Sequence, residues 1–257
     1  MPLMFRRTHS LLCRRSLLAA FFLGLALLAS PAAVHAQTAD QDADQTADQA
    51  NQTVVQTEAQ PSSQPDTRAG SIDEDWDMVE RPPAPTIEDV TVKPDTALLI
   101  LDIEERTCNA ERRPRCLDTV PRIAKLMDKA RETGITVVYS VTTKGSIRTI
   151  LDPVKPHPGE IVVGSSVDKF WNTNLESYLN RRRIKNVIIT GTAAHGAVLH
   201  TATAAGFRGM HIILPVDCIS AEDLYAEQAT VELLLTGPAT RGKITITRSD
   251  RMTFPAE

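Results

Sequence analysis

A carboxyl group held at the end of a buried strand is a simple means of moving a proton, and Asp102 is placed in that way. It follows five apolar residues, Ala97-Leu98-Leu99-Ile100-Leu101, the pattern of a strand covered on both faces. Desolvation there would raise its pKa and suit it to proton transfer. The alternative role is a cap that hydrogen-bonds the following loop, as Asp commonly does. A second stretch that could hold chemistry runs Val187-Ile188-Ile189-Thr190-Gly191-Thr192-Ala193-Ala194-His195-Gly196-Ala197-Val198-Leu199-His200-Thr201-Ala202. It reads as a β-branched strand, a glycine turn and a helix of small residues, the unit on which α/β enzymes often mount a nucleophile. No Ser or Cys occupies the turn or the first helical turn beyond it.

Other reactive side chains are few. Lys144 and Lys169 are the cations near expected strand ends, and Lys169 is included in the expected ligand pocket with Thr192, Ala193, His195 and Ala197. His195 suits either a ligand contact or a hydrogen bond across a subunit interface, and His200, five positions on, reads as structural. Cys13 falls in a leader-like segment, leaving Cys108, Cys116 and Cys218. Cys108 and Cys116 are separated by seven polar, proline-containing residues, so they are expected to close a small disulfide loop in an oxidising compartment. No His or further Cys lies close enough in sequence to make this pair a metal site, and no metal or cofactor is expected.

The elements that must position these groups alternate. Strands are expected at 97–101, 135–141, 161–163, 187–190, 210–217 and 243–247. Asp118 or Thr119 should cap a helix with Pro121 in its first turn, and Asn172 should open a second. The small-residue helix should end at Gly206, and Ser220 to Asp223 should cap a last one reaching about Leu235. This order implies an α/β fold, a three-layer Rossmann-like open and mainly parallel sheet with helices on both faces. Ligands of such folds bind at the carboxyl ends of strands, where Asp102 and the 191–197 turn both fall.

The first 95 residues differ in kind. Residues 1–36 combine Arg6, Arg7, Arg14 and Arg15 with an apolar run from Leu17 to Ala29 and Val34-His35-Ala36 before Gln37, the organisation of a cleavable export signal. The run is short against the roughly 20 residues a membrane span requires, so no stable membrane anchor is expected. The expected location is the periplasm or the exterior. Residues 37–95 hold fourteen acidic residues against Arg68, Arg81 and Lys93, with a short repeat, Thr38-Ala39-Asp40-Gln41. Such a segment has too little apolar surface to offset the entropy of ordering and reads as an acidic, disordered linker. The remaining domain, 96–257, has 21 basic and 18 acidic residues, which gives no argument for nucleic acid.

Three segments in order, Ala97-Leu98-Leu99-Ile100-Leu101-Asp102, Phe170-Trp171-Asn172-Thr173-Asn174-Leu175 and the Gly191 to Ala202 stretch, resemble the isochorismatase-like, or cysteine hydrolase, superfamily. The resemblance covers about 96–220. It implies that Asp102 is the family's aspartate, that the nucleophilic Cys falls on Ala197, and that the Lys expected before the Phe falls on Gly164. It also implies that the main-chain amides of Ala193 and Ala197 hold developing negative charge, and that a cis peptide shapes the turn at Thr192 and Ala193. Glu104 stands where Gln is frequent and reads as solvated surface or a second carboxylate. The metal motif of nicotinamidases, Asp-x-His with a later His, has no counterpart here.

A methyl group forms no thioester, so amidase chemistry through Cys is excluded. Isochorismatases lack the Cys too and hydrolyse a vinyl ether with the aspartate as acid. Two functions are thereby expected of an exported domain with a small-molecule ligand. One is a hydrolase without a cysteine nucleophile, using Asp102 as acid or base and the Ala193 and Ala197 amides as an anion hole. The other is a catalytically inactive binding protein, a pseudoenzyme of the same fold. Relatives are often oligomers, so a homo-oligomer with a second subunit completing the pocket stays open.

Overall fold

The computed structural model describes residues 70–255. The export signal expected over 1–36 and the acidic repeat lie outside the described residues. Strands β1 (Val90–Thr91), β2 (Thr96–Leu101), β3 (Thr136–Val141), β4 (Ile161–Gly164), β5 (Asn186–Thr192), β6 (His211–Pro215), β7 (Ile219–Ser220), β8 (Ile244–Thr247) and β9 (Met252–Thr253) alternate with four α-helices. These are α1 (Pro114–Glu132), α2 (Leu175–Arg181), α3 (Leu199–Phe207) and α4 (Leu224–Thr236). The main sheet runs β4-β3-β2-β5-β6-β8, with β7 paired to the end of β5. Every pairing in it is parallel.

Alternation along β2 shows why the sheet is covered twice. Leu98 and Ile100 join Ile123, Leu126, Met127 and Ala130 of α1 in one core. Ala97, Leu99 and Leu101 join Leu175 and Leu179 of α2, Ala202 and Ala205 of α3, and Leu234 of α4 in the other. Successive strand residues point to opposite faces, so one fully apolar strand feeds both cores. The fold is the three-layer, parallel α/β arrangement expected.

Strand register gathers the site. Leu101 pairs with Ser140 of β3 and with Gly191 of β5, and Val141 pairs with Gly164. Asp102, Thr142, Ser165 and the turn after Gly191 therefore leave four adjacent strands at one edge.

Several boundaries differ from the sequence reading: α2 starts at Leu175 rather than Asn172, and β6 spans only His211–Pro215. Helix α1 starts at Pro114 and holds Pro121 in its interior. Pro114 fits the first turn because the N–H it lacks would have no helical acceptor there. Gly206 lies within α3 and does not end it. A Cβ at Gly206 would come within 2.5 Å of the Ala239 carbonyl oxygen, so this glycine admits a neighbouring chain. The acidic segment also stops short of residue 95. Val90 and Thr91 pair with Met252 and Thr253, the Glu88 amide donates to the Ile246 carbonyl at 2.9 Å, and Val92 is buried. Charge counting missed this, because Ile87, Val90 and Val92 lie among acidic neighbours but supply apolar contacts.

Candidate functional site

Asp102 directly follows β2 in the left-handed backbone region, at φ 52°, a conformation Asp tolerates better than most residues. Its carboxylate is almost enclosed. Ser140 donates its hydroxyl to Oδ1 at 2.7 Å, and Lys169 donates its ammonium to Oδ2 at 2.8 Å. Burial pushes the Asp102 pKa up against the opposing pull of Lys169 and Ser140, with Glu104 adding to the rise. Desolvation wins here because the carboxyl lies behind the strand ends, away from water.

Lys169 is fully buried. Its Nζ also donates to the main-chain carbonyls of Ser165, at 3.3 Å, and Ser166. Three acceptors use all three ammonium protons. Lys169 was expected to touch ligand; its ammonium is instead committed to Asp102 and this loop, and it is absent from the cavity wall. The same observation corrects the inference drawn from Gly164. That position has no side chain, but a lysine five residues later brings its ammonium to the aspartate.

The Gly191 turn is built by close backbone approach. A Cβ at Gly191 would lie 2.1 Å from the Leu101 carbonyl oxygen, and φ there is 117°, so only glycine lets β5 pass so near the root of Asp102. The Thr192–Ala193 peptide is cis. The Thr192 hydroxyl donates to the Ser220 carbonyl at 3.0 Å, so this side chain anchors the turn to β7. Residues Ala194–Val198 then form one π turn leading into α3. Gly196 and Val198 both donate their amides to the Ala193 carbonyl, at 3.0 and 3.2 Å. The Ala197 amide lies before the first bond that closes the π turn, among the donors that a helix leaves without an internal acceptor.

Asp102, Thr192, Ala193, His195 and Ala197 line one cavity of about 460 Å³. The structure therefore brings together every expected ligand residue except Lys169. His200, read as structural, also lines it, as does Lys144. His195 is half-exposed, with Nε2 3.9 Å from Glu222 Oε2. Glu222 in turn pairs with Arg113 Nη2 at 2.7 Å, and this bond, outweighing burial together with its own backbone bond, lowers the Glu222 pKa.

Cys108 and Cys116 are joined, with 5.3 Å between their Cα atoms. The bridged loop contributes Arg112 and Arg113 to the cavity, and Arg106 and Thr107 enter just before it. Sequence reasoning missed these arginines. The signal was present in a loop read only as polar, but which way it folds depends on the bridge. Glu104 is neither surface nor a second acid in the cavity. It is fully buried and accepts from the hydroxyls of Thr142 and Thr149, at 2.6 and 2.9 Å. This brace holds the loop that carries Lys144. Among the described residues no group of three His, Cys, Asp or Glu is placed to hold a metal, and no helix is long and apolar enough to cross a membrane.

The match to the Isochorismatase domain covers residues 96–242, which hold Asp102, Lys169 and the whole turn. An uncharacterized isochorismatase family protein of Bacillus subtilis is 28% identical over 153 residues, spanning 52% of this chain and 82% of that protein. A secreted isochorismatase effector of Verticillium dahliae is 26% identical over 142 residues, 51% of this chain and 75% of that one. Among solved structures, N-carbamoylsarcosine amidase from Thermoplasma acidophilum is 26% identical with a TM-score of 0.52, covering 60% of this chain and 96% of that one. An isochorismatase from Pseudomonas putida KT2440, at 19% identity and a TM-score of 0.56, covers 66% of this chain and all of that one, a likeness of fold.

Proposed function

The chain belongs to the isochorismatase domain family, and from that premise we propose that it is an exported hydrolase of a small molecule that works without a cysteine nucleophile. The observation that carries the reading is Asp102, enclosed with Lys169 behind it, at the wall of a cavity that the neighbouring strand end, the Ala193–Ala197 turn, also lines. Asp102, with its raised pKa, gives a proton to the substrate. The Ala193 and Ala197 amides form an anion hole that holds a negatively charged group of the substrate beside the reacting carbon. A vinyl ether suits this set. Protonation of its carbon–carbon double bond leaves a cation on the ether carbon, water adds there as its proton passes to the Asp102 carboxylate, and the hemiketal collapses to a ketone and an alcohol. No covalent bond to the protein is needed, which fits a methyl group at Ala197.

Lys169 holds Asp102 in place and limits how far its pKa rises. The leader-like residues 1–36 support export, and similarity to a secreted effector is compatible with it.

A second reading is favoured by the same Ala197: a domain that retains the fold and the anion-facing turn but turns nothing over. The two separate in one experiment, a survey of vinyl ethers, amides and esters with the wild-type chain and with Asp102→Asn. Turnover abolished by the substitution supports the hydrolase. Turnover that survives it unchanged removes Asp102 from the mechanism, and no turnover with any class leaves the binding protein.

A further inference from the structure

The charges around the cavity are lopsided. Its wall carries Arg106, Arg112, Arg113 and Lys144, and its single carboxylate, Asp102, is paired to Lys169. Arg113 has a partner in Glu222. The side chains of Arg106 and Lys144 donate to no acceptor among the described residues, and Arg112 reaches only the Arg106 carbonyl at 3.5 Å. A second observation points the same way. Arg113 is 6% exposed, and with Nη2 on Glu222 and Nη1 donating to the Thr107 carbonyl at 3.3 Å its guanidinium is held at the wall while Nε has no acceptor.

These cations are not scattered over a mobile surface. Arg112 and Arg113 lie inside the loop closed by Cys108 and Cys116, and Arg106 stands two residues before it. Lys144 lies on the loop braced by Glu104. Two fixed loops therefore present uncompensated positive charge over the cavity, on elements separate from the turn.

We propose that this arginine loop is an anion clamp, and that the ligand is a small molecule carrying at least two negative charges, as carboxylates or as a phosphate, at the end remote from Asp102. The proposal rests on the reading of this cavity as the ligand site. Guanidinium groups bind carboxylate and phosphate oxygens through paired N–H donors. With the anionic end held there, the uncharged part of the ligand reaches the Asp102 carboxyl and the turn amides.

The test is calorimetric titration of the full chain with citrate, inorganic pyrophosphate and acetate at one fixed ionic strength. Either polyanion should bind at least ~10-fold more tightly than acetate, and the double variant Arg106→Gln/Arg112→Gln should weaken that binding by ~10-fold or more. These arginines are exposed, so the variant's melting temperature should match the wild type. A charge-matched control, Lys125→Gln/Arg241→Gln, should bind like the wild type. Preference between citrate and pyrophosphate assigns the anion as carboxylate or phosphate. Polyanions binding no better than acetate, or binding unchanged in the double variant, overturns the clamp. Asp102→Asn should keep polyanion binding undiminished while losing any turnover. Binding without turnover by the wild type would thus sink the hydrolase and leave the clamp standing. Turnover whose KM ignores Arg106→Gln/Arg112→Gln would do the reverse.

Discussion

Lys169 Nζ stands 2.8 Å from Asp102 Oδ2, the lysine fully enclosed and the aspartate nearly so. A buried pair of this kind owes its stability to both partners being present, since removing one leaves the other's charge in a poor solvent. Lys169→Met should therefore destabilise the domain by about 3–5 kcal/mol near neutral pH. The loss should shrink on acidification. Without the ammonium, the native Asp102 pKa rises further above its unfolded value, so the native state takes up a proton that the unfolded chain still lacks. Stability of the variant then recovers as pH falls through the native pKa, in the range above the ordinary carboxylate value. Urea unfolding at pH 7 and pH 5 checks this, and equal losses at both would mean that the pair is not what was broken.

Asp102 as a general acid makes a prediction about the wild type. Its pKa is raised by burial, and the acid works only when protonated, so kcat/KM should decline as pH rises through that raised pKa. Asp102→Asn should lower the rate by about 10²–10⁴-fold and flatten this limb. A pH–rate profile on whichever substrate the survey identifies decides it. A declining limb that persists in the variant belongs to another group.

Most of the architecture is legible in the sequence, because continuous apolar runs such as 97–101 and 187–190 can only be satisfied by a sheet covered on both faces. The turn is legible too, through Gly191. What escapes is whatever depends on reach across space. Gly164 suggested a lost cation, yet the ammonium arrives from Lys169, whose backbone is held through its amide by Thr201 Oγ1 at 3.2 Å. Spacing along a chain fixes where a backbone passes, whereas a four-carbon side chain can serve a site from several positions. Glu104 failed for the opposite reason. An acidic residue in a polar run looks solvated until three donors from a loop some forty residues away surround it.

The disulfide ties the arginine loop to the start of α1. Closing a loop this short restricts the unfolded chain by an amount worth about 2–3 kcal/mol. Cys108→Ser/Cys116→Ser should lose about that much in denaturant unfolding and leave Arg112 and Arg113 on a looser loop. Mass spectrometry of unreduced peptides from exported protein should recover residues 108 and 116 in one linked species. Two free thiols there would mean that the loop is held by its hydrogen bonds alone, such as Asn109 Oδ1 to the amides of Glu111 and Arg112 at 3.1 and 2.8 Å.

Ala197 offers a direct probe of the turn. It is buried against the chain yet lines the cavity, so Ala197→Cys would place a thiol facing the ligand space with only one added heavy atom. A thiol there sits in the first turn of a helical segment, where amides without an internal acceptor favour the thiolate. The native free cysteine, Cys218, differs sharply, because burial pushes its thiol pKa far up and it is enclosed. Iodoacetamide at neutral pH should thus alkylate Ala197→Cys and spare Cys218 in the folded chain, with labelling slowed by citrate if the arginine clamp fills the same cavity. Peptide mapping after a timed pulse reads both sites at once. Labelling of residue 218 ahead of residue 197 would show that the turn is closed to small molecules, and the proposed cavity would no longer serve as the ligand site.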